Sequence, residues 1–117
     1  MIDLDGVAEE ALCYLTTRGR RTGDPHEIEI WFAARGSTIY MLSGGRERSD
    51  WVKNILATPE VRVRIRAQEF GGRARIVEEP SEEEWARSAL FDKYNAGYGG
   101  DLTGWSRSAL AVAVDLT

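Results

Sequence analysis

The stretch LTTRGRRTGDPHEIEIWF, residues 15–32, decides the fold. It passes from an apolar, β-branched segment through a cationic turn into a second segment that alternates. There Ile28, Ile30 and Phe32 share one face and Glu27, Glu29 and Trp31 the other. That period of two predicts a strand over 26–34. Two strands joined by so short a link pair as an antiparallel hairpin. The turn between them holds Arg18, Arg20, Arg21 and Thr22, bracketed by Gly19 and Gly23. The glycines free the backbone to take positive φ and to approach a ligand closely. Exposed N–H groups beside guanidinium groups suit a phosphate or carboxylate. The blander alternative is a solvated basic turn.

Working outward, residues 11–17 read as the strand before the turn, and 3–10 as a short helix capped by Asp5. Arg35-Gly36-Ser37 is a turn signal, followed by a strand over 38–43. Ser43-Gly44-Gly45 breaks that strand. Ser49 or Asp50 then caps a helix over 51–57, with Trp51, Ile55 and Leu56 on its inner side. Thr58-Pro59 stops it, because a residue before proline is pushed out of the helical region. VRVRIR, residues 61–66, alternates strictly and predicts a half-buried strand. A strand over 68–77 is expected to bulge at Gly71-Gly72. Ser81 and Glu84 form a capping-box pattern for a helix running to about residue 94, with Trp85, Leu90 and Phe91 in its apolar contacts. Glycine-rich 95–104 reads as a loop. Residues 109–116 read as a last strand, with Leu110, Val112, Val114 and Leu116 on one face and alanines on the other.

The order β-β-β-α-β-β-α-β predicts a mainly β (α+β) fold with two or three helices. Short links make the sheet antiparallel, and closing it into a barrel removes its edges. No βαβ rhythm or Gly-x-Gly-x-x-Gly sequence supports a doubly wound nucleotide-binding sheet. The 117 residues fit a single domain, 1–117. With 43% hydrophobic and 29% charged residues the chain is of globular type. A net charge of −4 argues against a general nucleic-acid binder, which needs a basic footprint. The basic turn is therefore a local feature, better matched to a small anionic ligand.

Cys13 is the one cysteine and lies in an apolar run, so it reads as a buried small hydrophobe and forms no intrachain disulfide. His26 is the one histidine, which leaves no ordinary zinc site; no metal is expected. No apolar run approaches the roughly 18 residues of a membrane span. Asp3, Asp5, Glu9 and Glu10 are the wrong charge for a leader, so the cytoplasm is the expected compartment.

The run Leu15 to Gly23, then His26 to Phe32, then Leu42-Ser43-Gly44-Gly45, then Asp50-Trp51-Val52-Lys53-Asn54-Ile55 with Pro59 to Ile65, resembles the deazaflavin-dependent nitroreductase and quinone reductase family. That family belongs to the larger flavin and deazaflavin oxidoreductase superfamily. The shared order covers residues 15–65; Lys93-Tyr94 and 105–116 are similar to one branch. The resemblance implies a split β-barrel of the FMN-binding type, commonly a homodimer. It implies coenzyme F420, a deazaflavin with a phosphodiester and an oligoglutamate tail. The implied reaction is hydride transfer from reduced F420 to a small organic acceptor: a quinone, a nitro compound or an activated alkene. Superfamily relatives use FMN, FAD or heme. An FMN-dependent oxidoreductase of the same fold and a non-enzymatic ligand-binding barrel are therefore the alternatives.

On this reading the anionic tail lies on Arg18, Arg20, Arg21 and Thr22, with Arg46 or Arg48 assisting. The ring lies near Leu42, Ser43 and Gly44, and Trp51 is either a pocket wall or a core anchor. Trp31, Tyr94 and Tyr98 are the candidate substrate-side residues, with a dimer contact as Trp31's alternative. No catalytic residue is assigned, because a deazaflavin carries the hydride chemistry itself. Glu27 and Glu29 are expected to meet backbone, an arginine or solvent. Arg62, Arg64 and Arg66 are expected on a solvated face or across a dimer.

Overall fold

The computed structural model describes residues 2–117. Its strands are β1 (Cys13–Arg18), β2 (Pro25–Ile30), β3 (Ala33–Arg35), β4 (Thr38–Ser43), β5 (Glu60–Ile65), β6 (Gln68–Ile76) and β7 (Leu110–Leu116). Its α-helices are α1 (Asp50–Ala57), α2 (Pro80–Tyr98) and α3 (Thr103–Ser108), and a 3-10 turn spans Arg46–Arg48. All strand pairs are antiparallel, in the spatial order β2-β1-β5-β6-β7-β4-β3. The two edge strands, β2 and β3, are separated by only Trp31 and Phe32. The sheet therefore curls until its ends meet at that corner, giving the expected split barrel.

The concave side holds the main core. Leu15, Phe32, Met41, Val63, Ile65, Val112 and Val114 are fully buried there. These are the inward members of alternating strands, as a period of two requires. A second cluster lies between the sheet and α2. Ala109, just before β7, and Ala111 and Ala113 of β7 pack there with Tyr40 and Leu42 of β4 and with Ala86 and Leu90 of α2. The alanine face does press closely on a neighbour: small side chains let the helix axis approach the strand.

Several local expectations are overturned. Residues 3–10 form turns instead of a helix, with Val7 and Ala8 N–H groups both donating to the Leu4 carbonyl. The strand expected over 26–34 breaks after Ile30 and resumes at Ala33, because Phe32 turns into the core. Gly71 and Gly72 make no bulge; the β5–β6 register runs unbroken from Glu60↔Arg73 to Ile65↔Gln68. Gly72 serves close packing instead. A Cβ there would come 2.7 Å from Val114 Cγ1 and 3.0 Å from the Asp115 carbonyl. On α1 the buried residues are Val52, Asn54 and Ile55, whereas Leu56 is 59% exposed.

Helix α2 is capped by Glu79, not Ser81. The Glu79 carboxylate accepts from the N–H groups of Ser81 (3.1 Å) and Glu82 (2.7 Å), with Pro80 at the first helical position. The helix continues four residues past 94 and stops at Gly99, whose φ of +83° suits a left-handed C-terminal glycine. The segment read as a loop thus holds the end of α2 and the start of α3.

Arg75 joins three elements around β7. Its Nε donates to Asp115 Oδ2 (2.7 Å), and Nη1 and Nη2 donate to the two Glu82 oxygens (2.9 and 2.7 Å). Tyr40 Oη adds a 2.6 Å bond to Glu82, and Thr38 Oγ1 one of 2.9 Å to Asp115. The Arg75 guanidinium and the Tyr40 hydroxyl hold the Glu82 carboxyl down to about 2, from an ordinary 4.5. A carboxyl depressed by folding contributes stability above its unfolded value and loses it as pH falls through the folded one. Urea unfolding midpoints should therefore fall between pH 4.5 and about 2, and Arg75→Met should flatten that slope.

Candidate functional site

The basic turn is held from beneath by helix α1. Gly19 N–H donates to the Asp24 carbonyl (2.7 Å) and Gly23 N–H to the Gly19 carbonyl (2.8 Å). Gly23 has a φ of +82°. The His26 ring lies over Gly19, where a Cβ would meet its Nε2 at 2.6 Å. Asn54, buried in α1, accepts from the Arg20 N–H (3.2 Å) and Nη1 (2.9 Å) and donates to Thr17 Oγ1 (3.1 Å). Arg20 Nη2 also meets Asp50 (3.2 Å). Arg20 is thus committed within the protein, whereas Arg18 and Arg21 have no ion-pair partner among the described residues.

A groove of about 640 Å³ runs beside this turn, lined by Arg20, Arg21, Thr22, Ile28 and Trp51 and also by the carboxylates of Asp24, Glu27 and Asp50. Trp51 is half-buried and rests on the barrel core, so it is both groove wall and anchor. Arg18 faces the other way. It lines a separate groove of about 730 Å³ with Thr58, Arg62 and Gly71.

Further along β2 is an aromatic recess of about 550 Å³, lined by Ile30, Trp31, Leu42, Tyr98, Leu102 and Trp105. Trp31 is its centre. The Tyr94 ring stacks on it, 4.4 Å between centroids and 5° from parallel. Tyr98 and Trp105 meet it edge-on, at 5.9 and 5.5 Å. Such stacked and edge-to-face pairs are favoured arrangements of ring quadrupoles.

The corner carrying Trp31 is clamped by α2. Tyr94 Oη accepts from the Phe32 N–H (3.0 Å) and donates to the Ala11 carbonyl (2.9 Å). Lys93 Nζ donates to the carbonyls of Ala8 (3.0 Å) and Phe32 (2.9 Å) and lies 3.7 Å from the Phe32 ring centroid. Burial lowers the Lys93 amine below its usual range and pushes the Tyr94 hydroxyl up to about 12. Burial likewise pushes the Cys13 thiol up to about 12, which fits a core residue and not a nucleophile.

The structure thus brings Arg20, Arg21, Thr22 and Trp51 into one groove, and Trp31, Leu42 and Tyr98 into the adjoining recess. Tyr94 backs the recess. Ser43 is buried, and its hydroxyl bonds the Ser49 hydroxyl (2.7 Å) and the Arg46 carbonyl (3.1 Å), so it shapes the loop. Gly44 is exposed beside Trp105, with room for a Cβ at 3.6 Å. Arg46 Nη1 is bound to the Ser108 carbonyl at 2.5 Å. Glu29 receives the Tyr14 hydroxyl (3.2 Å), and Glu27 lies 3.7 Å from Arg64. Sequence reasoning missed Asn54, Leu102 and Trp105. A polar residue inside the apolar stripe of α1 was the available signal for Asn54. Trp105 sat in a stretch too rich in glycine and serine to read as a helix.

Among the described residues no cluster of metal-binding side chains occurs, and no helix is long and apolar enough to cross a membrane. What remains is a basic turn beside one groove and, further along β2, a separate apolar, aromatic recess. This donor set fits a planar ring bearing an anionic tail: Arg21 offers an uncommitted guanidinium, and Ile28, Ile30 and Trp31 continue the surface as apolar faces.

The model of a family described as F420H(2)-dependent quinone reductase matches residues 5–117. Among solved structures, an F420-H2 dependent reductase superposes with a TM-score of 0.72 at 20% identity, over 90% of this chain and 94% of that one. A structure described as a domain-swapped dimer gives 0.70 at 22% identity, over 90% and 80%. An FAD-binding protein from Mesorhizobium loti gives 0.70 at 14% identity, over 95% and 84%. At such identities these structures share the fold.

Asn54→Ala should leave Thr17 Oγ1 and Arg20 without their buried partner. It should cost about 2 kcal/mol in denaturant unfolding, the scale for buried groups left unpaired. Amide exchange across residues 19–23 should quicken in the same variant.

Proposed function

The chain belongs to the F420H(2)-dependent quinone reductase family, and from that premise we propose how its own residues divide the work. It is an F420-dependent oxidoreductase; the reduced deazaflavin supplies the hydride chemistry. The turn residues Arg21 and Thr22, with Arg20 held in place by Asn54, bind the anionic tail in the groove of about 640 Å³. Charge-assisted bonds from guanidinium to phosphate are the strong kind. Arg18, on the far side of the turn, adds to the local positive field. Leu42, with Gly44 beside Trp105, borders the ring end, and Trp51 walls the tail groove.

The acceptor is a flat, unsaturated molecule, and a quinone suits the recess best. Its planar ring would lie among Trp31, Tyr98 and Trp105, with Leu42 and Leu102 excluding water. One observation carries this reading: β2 places Ile28 in the groove beside the basic turn and Ile30 in the aromatic recess, so a single strand connects the two. Both ligands are then held against the same surface, which is what proximity requires of a transfer between them. The chain works in the cytoplasm as a homodimer, in line with its acidic charge, its lone buried cysteine and the exposed edge of β2. Sedimentation should show twice the 13.1 kDa chain mass; a species at 13.1 kDa alone would remove the dimer.

Fluorescence titration with oxidised and reduced F420 tests the reading. The parent chain should bind, and Arg21→Ala should weaken binding about tenfold, the equivalent of 1.4 kcal/mol. Its denaturation midpoint should stay put, because Arg21 has no ion-pair partner among the described residues. Retention of FMN with no affinity for F420 would sink the proposal.

A further inference from the structure

We propose that Arg87 is a positioning residue for the acceptor recess: its guanidinium holds helix α3 so that Trp105 closes the recess against Trp31. The proposal rests on the recess being the acceptor site. Helix α3 has little to fix it by itself. It is six residues long and its one buried residue is Ser106. Its N-terminal end is held by Asp101, which accepts from the Thr103 N–H (2.9 Å), and by Asn95, which accepts from the Leu102 N–H (2.9 Å), while its C-terminal end is left to Arg87. Isolated helices of that length do not persist in water. The short link from α2 begins with Gly99 and Gly100, which add backbone freedom before it.

Arg87 supplies the missing constraint from α2. It is 7% exposed. Its Nη1 donates to the carbonyls of Ser106 (2.9 Å) and Ala109 (2.8 Å), at the C-terminal end of α3. Its Nε and Nη2 both donate to Glu83 (3.0 and 2.6 Å). The guanidinium is planar, so pinning one edge to Glu83 fixes the direction of the other. A cation at a helix C-terminus also meets the negative end of the helix dipole. Other ties to α3 are more exposed. Arg107 pairs with Glu84 at 2.9 Å, but both side chains are more than half exposed, where such pairs contribute little.

Fixed this way, α3 puts the Trp105 indole 5.5 Å from the Trp31 ring, edge to face. Leu102, at the helix start, is buried and faces the same recess. A buried cation is placed on a short helix whose main packing residue is Trp105. The position of that helix matters to the recess, and it sets the recess width.

Arg87→Lys keeps the charge and loses the fork, so it tests the geometry directly. Steady-state kinetics with F420H2 and a 1,4-naphthoquinone should show the acceptor KM raised about fivefold with kcat nearly unchanged, the mark of lost ground-state binding. The Kd for F420, from fluorescence titration without turnover, should stay where it was. The near-ultraviolet circular dichroism of the tryptophans should weaken as the Trp31–Trp105 contact loosens. Trp105→Ala should raise the same KM, and the double variant should add little to either single change, as expected for residues acting through one contact.

The outcomes separate the two ideas. An unchanged KM in Trp105→Ala overturns the acceptor reading of the recess. A raised KM in Trp105→Ala beside an unchanged one in Arg87→Lys overturns the positioning role alone. An F420 Kd that shifts as much as the KM means general loosening and overturns it too. If Arg87→Lys does not fold, Glu83→Gln keeps the guanidinium and weakens its anchor. It should give the same KM, Kd and dichroism pattern, and its failure to do so counts equally against the proposal.

Discussion

Strand β7 is apolar on both faces, and the remaining architecture follows from covering both. Leu110, Val112, Val114 and Leu116 fill the barrel interior, while Ala109, Ala111 and Ala113 face outward yet are 0–2% exposed. A sheet face of alanines cannot be left to water without losing its burial, so α2 must lie across it. Small side chains set the distance of that approach. The Arg75 cluster then joins β6, β7 and α2 at the rim with bonds of 2.7–2.9 Å. Gly72, packed under Val114, shows how little space is spare on the other side of the same strand.

Once α2 is placed, the corner at Trp31 and Phe32 is determined. There the sheet ladder is interrupted, and the backbone groups of Phe32 need other partners. Tyr94 takes the N–H, and Lys93 takes the carbonyl. The same two residues reach back to the carbonyls of Ala11 and Ala8, so the N-terminal segment is tied into the corner as well. Tyr94 therefore has two effects from one position: its hydroxyl completes the backbone, and its ring supports the Trp31 face. A residue that looks like a candidate ligand contact instead backs the face of Trp31.

Charge is organised in a comparable way. The chain is acidic overall, yet its arginines are divided between internal duties and free positions. Arg20, Arg46, Arg75 and Arg87 bond acceptors within the protein, three of them binding backbone carbonyls or a buried amide. Arg21 and Arg18 have no ion-pair partner among the described residues and lie on opposite sides of one turn. Both kinds look alike in a sequence. The difference is whether Asn54, Ser108 or Glu83 is within reach, which is a matter of packing.

The alternating segments at β2 and β5 were legible in the sequence because a pleated strand with one buried face requires a period of two, and β7 because large and small apolar residues alternate along it. So were the hairpin at the basic turn, the helix at Asp50, the buried thiol and, through the order of motifs over 15–65, the deazaflavin-binding split barrel. Those features depend on neighbours close in the chain. The break after Ile30, the unbulged Gly71-Gly72 pair, the Glu79 cap and helix α3 depended on contacts made across the fold. Trp105 joins the recess across 74 residues from Trp31, and Arg87 reaches the carbonyls of α3 from another helix. Residue spacing alone carries no record of such distances, because they exist only once β7 has been covered on both faces.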